Sequence, residues 1–254
     1  MKSLLLKRIC LFMVAAVIGL TAISLEAQGL KNIQATAGLS TMWIINDNAA
    51  RESIVPRDET DIPGAGFDGQ QIGFSIRMLY NLNEKKKLRL TTGLDYYFMR
   101  GVQRNQLTSS TIYYTYAVNV PTIVLGTEYA FVEYPPGDVR IYAGIEARGA
   151  FTSAEPIDFR LVRLGDNTLI QSGTGQIKDN AFRLGGAIRL GVDGEIYEPM
   201  YVNISAGYGI LNLIGRDDTR GELFTPNHSA VGYTEERENY IHNVLFSFLL
   251  QYRF

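Results

Sequence analysis

Histidine and cysteine are almost missing: the 254 residues contain two histidines, His228 and His242, and one cysteine, Cys10. Cys10 follows "KRI" rather than the small residues that a lipid-attachment site needs, and it lies in the first apolar stretch. Once that stretch is removed, the chain can hold no disulfide, thiol nucleophile or cysteine metal site. An excess of one charge is also lacking, with 24 Lys and Arg against 26 Asp and Glu. So slight an acidic balance argues against nucleic acid as a partner, because polyanion binding needs a basic excess. Long apolar runs are limited to "ICLFMVAAVIGL", behind Lys2, Lys7 and Arg8 and ahead of "LEAQ". This is the pattern of a secretory signal peptide over 1–27 cleaved after Ala27, with an uncleaved anchor as the alternative. Removing it takes away three basic residues and Glu26, so the formal charge moves from −2 to −4. No Pro/Ser linker, low-complexity tract or amphipathic helical run divides residues 28–254, which read as one domain.

What fills that domain is period-2 alternation rich in Tyr, Phe, Val, Ile and Thr. It predicts eight strands, at 32–45, 70–82, 88–101, 111–132, 139–153, 179–196, 200–214 and 241–254. The connections alternate in length. Those at 83–87, 133–138 and 197–199 are short, whereas 46–69, 102–110, 154–178 and 215–240 are longer. An up-and-down meander does this when its two ends face different environments, as in outer-membrane barrels with short periplasmic turns and long external loops. A soluble sandwich with Greek-key crossings has no reason to do so.

The two faces of each strand point the same way. Ile72, Phe74, Ile76, Met78 and Tyr80 share one face against Ser75 and Arg77; Leu88, Leu90, Leu94 and Tyr96 oppose Arg89 and Asp95. The last strand puts Val244, Phe246, Phe248, Leu250, Tyr252 and Phe254 together. The fold class expected is therefore all-β: an eight-stranded antiparallel up-and-down transmembrane β-barrel, apolar faces toward lipid, in the outer membrane of a Gram-negative bacterium. Trp43, Tyr80, Tyr96, Phe98, Tyr129, Phe131, Phe182, Phe246 and Phe254 would form interfacial girdles. In the fourth strand Val118 and Val120 are out of phase with Ile123, Leu125, Tyr129 and Phe131. A bulge at Pro121 would keep both halves facing lipid.

An eight-stranded barrel is just wide enough for its side chains to fill. Its lumen would hold a charge network of Arg77, Arg89, Asp95, Arg140, Glu146, Arg148, Arg183, Arg189 and Asp193, with Glu128, Glu195 and Arg253 and supported by Tyr97 and Tyr142. Such a salt-bridged plug predicts no open channel; a narrow anion-selective pore is the alternative. Catalysis has little to draw on. His228 is followed by Ser229 in a polar loop and His242 begins the last strand, without a nucleophile, base and orienting carboxylate in reach of one another. A lipid-modifying enzyme is thus the weakest reading, and no cofactor is implied. Asp217 and Asp218, or Asp58, Glu59 and Asp61, lack the spacing of a Ca²⁺ loop, and "GTGQIKD" lacks the rest of a phosphate loop. Within 154–178, "IDFRLVRL" and "NTLIQSG" flank a turn-like "GDN". They predict a hairpin prolonging the fifth and sixth strands outside the membrane, rather than two more membrane strands, because Arg160 and Arg163 lie on opposite faces and one would enter lipid.

The signal ending in "AQ", the segment "YAVNVPTIVLGTEYAF" with its mid-strand proline, "SAGYGILNLI" before a long loop, and the terminal "LLQYRF" together resemble the PorT-like outer-membrane β-barrel family of the Bacteroidetes lineage. The likeness covers the chain from about residue 29 onward; that to the OmpA membrane domain is one of architecture only. The resemblance implies an eight-stranded barrel with a structural or interaction role, accessory to secretion or surface assembly. It also implies that Phe248, Leu250, Tyr252 and Phe254 are the C-terminal sorting signal read by the barrel-assembly machinery. Expected partners are outer-membrane lipid, that machinery during insertion, and an envelope protein reached through loops 46–69, 154–178 and 215–240.

Overall fold

The computed structural model describes residues 32–45, 54–55, 67, 69–83, 85–152, 156–176, 181–214 and 239–254. The leader with Cys10, His228 and most of the loops 46–69 and 215–240 lie outside these residues. Eleven strands are described: β1 Ile33–Ile45, β2 Ile54–Val55, β3 Gln70–Asn81, β4 Leu88–Gln106, β5 Ser110–Tyr134, β6 Val139–Thr152, β7 Pro156–Arg163, β8 Leu169–Gln176, β9 Ala181–Tyr197, β10 Met200–Ile214 and β11 Asn239–Arg253.

Eight of them close a ring in the order β1, β3, β4, β5, β6, β9, β10, β11, every neighbouring pair antiparallel. Closure is between the first strand and the last, from Gln34↔Arg253 to Ile45↔His242. A ring has no edge, so no backbone donor or acceptor of the barrel wall is left to hydrocarbon, where each would cost several kcal/mol. The connections 82–87, 135–138 and 198–199 gather at the end that also holds Ile33 and Arg253.

Which way the side chains look is unambiguous. Ile188 and Leu190 are 61% and 62% exposed, while Arg189 between them is 4% exposed. The same contrast runs around the ring, with Leu90, Leu94, Ile123, Leu125, Ile145, Ile204 and Phe248 outside and Arg77, Arg89, Asp95, Arg148 and Asp193 inside. In water, each large apolar side chain left exposed would forgo about 1.5–3 kcal/mol of burial. An apolar outside around a charged inside is stable in a bilayer, and the chain is an outer-membrane barrel. Trp43, Tyr80, Tyr129, Phe131, Phe182 and Phe246 are exposed on that outer wall; Tyr96, Phe98 and Phe254 are half-buried.

Two expectations need correction. β5 runs unbroken for 25 residues through Pro121, which opposes Tyr96, and its register with β4 never shifts. Pro121 is tolerated because pairing with β6 starts at the next residue, Thr122↔Ala150, so the missing donor falls where β5 has no β6 partner. The bulge lies instead between Ala130 and Val132, leaving Phe131 and Val132 both facing out. Val118 and Val120 point inward and are buried. Second, most of 102–110 is strand: β4 and β5 stay paired to Gln106↔Thr111, and only 107–109 connect them. The hairpin β7–β8 is as expected: β7 takes over from β6 alongside β5, from Thr115↔Asp158 to Ser110↔Arg163, and the ladder of β6 with β9, which ends at Thr152↔Ala181, is taken up again by β7 with β8 at Pro156↔Gln176. It stays outside the ring, so the barrel has eight strands. With β2, which pairs with β4 at Arg104 and Asn105, these form a five-stranded external sheet, β2–β4–β5–β7–β8.

Candidate functional site

The lumen is the most elaborately built part of the molecule, and its side chains meet because register sets their heights. In the middle of the barrel Ser75 opposes Asp95 and Arg77 opposes Gly93 across β3 and β4. Asp95 accepts from Ser75 Oγ at 2.6 Å, from Arg148 Nη2 at 2.6 Å, from Arg77 Nη2 at 3.1 Å and from Tyr97 Oη at 3.2 Å. Glu146 accepts from Arg77, from Arg189 Nη1 at 3.0 Å and from Arg148 Nη1 at 3.4 Å. Arg189 donates again to Ser247 Oγ at 2.6 Å. Three guanidiniums thus enclose two carboxylates.

A second cluster lies nearer the short turns. Asp193 receives Arg89 Nη1 at 2.8 Å, Arg140 Nε at 3.0 Å and Arg253 Nη2 at 2.8 Å, and Arg89 also reaches Glu128 at 2.8 Å. Arg253 pairs with Asp138 beside the 135–138 turn and stacks 3.5 Å over Tyr201. Arg140 donates to the Lys86 carbonyl of another turn at 3.0 Å. The guanidinium of Arg89 lies 5.1 Å from the ring centre of Tyr142, whose hydroxyl meets Asn203 Oδ1 at 2.8 Å. Inward glycines make this packing possible. A Cβ on Gly191 would sit 2.3 Å from the Tyr142 ring, and one on Gly207 would sit 3.0 Å from Cγ of Arg189. Small positions beside large ones are how a narrow barrel is filled.

Of the charged residues expected inside, Arg183 lies apart, opposite Ala150 toward the long-loop end, and Glu195 is exposed at the short-turn rim. The alternation did not disclose what fills the external half of the lumen. Met42, Ile44, Met99, Val118, Val120, Leu211, Ile241 and Leu245 converge there with Tyr114 and with Phe67, which is fully buried. Ile112 and Phe159, from the projecting parts of β5 and β7, pack onto the same cluster. Burial pushes the Tyr114 hydroxyl above its ordinary range. A signal was present in the sequence: toward the far end the second face carries Met42 and Ile44 on β1, Val120 and Val118 on β5, and Leu211 on β10. Polar partners such as Ser247, Gln34 and Asn203 carry no such signal, because a lone Ser or Gln has no pattern of its own.

The described side chains place His242 on the outer wall, hydrogen bonded to Tyr208. A depression of ≈ 730 Å³ is also outside, lined by Tyr129, Ala143, Ile145, Ile188, Leu190 and Tyr208, so it opens to lipid. No group of three or more metal-ligating side chains occurs among the described residues. The lumen can therefore block passage, and the external sheet can offer a surface.

No protein-family model and no curated protein matches the chain. Solved structures do. Ail, the attachment invasion locus protein of Yersinia pestis, is similar at 10% identity and a TM-score of 0.39, covering 89% of this chain and 100% of its own. Neisserial surface protein A matches at 14% identity and 0.38, covering 87% and 96%. The outer membrane protein OprG from Pseudomonas aeruginosa matches at 12% and 0.43, covering 89% and 96%.

Proposed function

We propose that this barrel is a non-enzymatic, non-conducting component of the outer membrane that presents its external sheet to another envelope or surface protein. The observation that carries this reading is the long projection of β4 and β5, to which the hairpin β7–β8 is added outside the ring. A transmembrane strand needs about 9–11 residues, whereas β5 has 25 and β4 has 19. Strand is costly to order, and a barrel that only sealed itself would not need this much beyond the bilayer. Among the described residues the outer edge of β8 has no strand partner, and its apolar Leu169 and Ile170 are about half exposed. An unpaired edge is a template for an extended partner segment. The quoted PorT-like motifs point to the same accessory role, and Phe248, Leu250, Tyr252 and Phe254 serve as the signal for insertion by the assembly machinery.

The test replaces 156–176 with a short turn in the full chain and compares what co-purifies after mild detergent extraction. Loss of a partner seen with the intact chain is the expected result; identical partners would refute the reading. One observation favours a narrow anion pore instead, namely five buried arginines against four buried carboxylates among the described residues. The two ionic clusters and the apolar cluster above them oppose it. Planar-bilayer recording should give no sustained single-channel current, and steady anion-selective steps would replace the plug with the pore.

A further inference from the structure

On β4 the outward positions change character abruptly. From Leu88 to Phe98, eleven residues, they are Leu88, Leu90, Thr92, Leu94, Tyr96 and Phe98; the next are Arg100, Val102 and Arg104. Eleven residues are what a tilted transmembrane strand uses, so Arg100 is the first outward position above the hydrocarbon. Arg104 opposes Tyr113 on β5, and Tyr113 opposes Arg160 on β7, so the two arginines flank a tyrosine in one cross-strand row. At about 4.8 Å per strand their backbones are roughly 10 Å apart. All three arginines are exposed, and among the described residues none of their guanidiniums has a carboxylate partner. Among the described residues of these strands the acid on this face is Asp158, opposite Thr115 and two residues from Arg160. Directly below, Phe74, Tyr96 and Phe98 form a cluster of rings on the outer wall, 5.2 Å between the first two centres and 5.1 Å between the last two.

We propose that Arg100, Arg104 and Arg160 form a docking surface for the phosphate groups of a glycolipid in the outer leaflet. The patch is continuous with the lipid-facing wall and stands where the headgroups of that leaflet stand. Three planar donors on rigid strands suit phosphate, which guanidinium binds through two parallel hydrogen bonds. The rings below give the lipid's apolar part a flat seat. A soluble acidic protein would have no use for a patch merging into an aromatic, lipid-facing surface.

The experiment uses the full chain in detergent micelles and titrates bisphosphorylated lipid A, the same lipid without phosphates, inorganic phosphate, and vesicles of phosphatidylglycerol. Bisphosphorylated lipid A should bind most tightly. R100Q/R104Q/R160Q should weaken it by roughly tenfold or more, and Asp158→Asn should tighten it by roughly twofold. Heat-modifiable migration on gels checks that each variant is folded; the single change Arg100→Gln, expected to weaken binding by about threefold, replaces the triple change if that does not fold. Equal binding of the variant or of the dephosphorylated lipid would overturn the proposal. So would inorganic phosphate or phosphatidylglycerol binding as tightly as lipid A, or an acidic protein being the only ligand that the three substitutions affect.

Discussion

Toward the short turns the lumen is packed with guanidiniums and carboxylates; toward the long loops the same strands send methionine, valine and leucine into it. β4 carries both chemistries. Its inward Arg89 and Asp95 belong to the ionic half and its inward Met99 to the apolar half, while its outward side changes from Leu90 and Leu94 to Arg100 and Arg104. Within one strand, without any shift of register, the apolar face has moved from the outside to the inside. The solvent outside the wall explains this. Where it is hydrocarbon, apolar side chains belong outside and charge must be paired within; where it is water, the ordinary rule of a soluble core returns. The apolar half is the root of the external sheet's core, which is why Phe159 of β7 packs onto it.

The largest effect should come from the ionic half. Asp95→Ala leaves Arg77 and Arg148 buried short of a counter-charge, and should cost about 3–5 kcal/mol in urea unfolding from lipid vesicles, followed through the single tryptophan, Trp43. A cost near zero would mean that water reaches this cluster and that the lumen is not sealed. In the apolar half Met99→Ala should cost about 3 kcal/mol by the same assay, through a cavity rather than a stranded charge. The boundary can be located on the outer wall. Ile188→Arg within the belt should cost about 2–3 kcal/mol, while Val102→Arg above it should cost less than about 1 kcal/mol. Similar costs at both positions would mean that the hydrocarbon reaches higher than Phe98. Smallest of all, Glu133→Gln removes only the half-exposed pair with Lys87 at 3.8 Å, and should change stability by no more than about 0.5 kcal/mol.

Strand number, the direction of the faces and most of the charge network were legible in the sequence because each depends on a period of two repeated around the chain. Asp95 with Arg77, Glu146 with Arg148, and Asp193 with Arg140 are on the faces that alternation assigns them. Depth was not legible. Alternation says that Arg183 shares a face with Arg189, but not that one lies beside Ala150 and the other against Glu146 and Ser247. The phase change in β5 was visible as a pattern and invited a bulge at Pro121, because a reading of one strand holds its surroundings constant along its length.

The sequence by itself therefore determined local matters: extended backbone, two unlike faces, turns at the short connections and enough paired charge to line a narrow cylinder. Tertiary structure alone decided which solvent each stretch of wall would meet and which charges would stand at one height. Those outcomes depend on the stagger between eight strands and on a bilayer of fixed thickness, and neither is a property of any single segment.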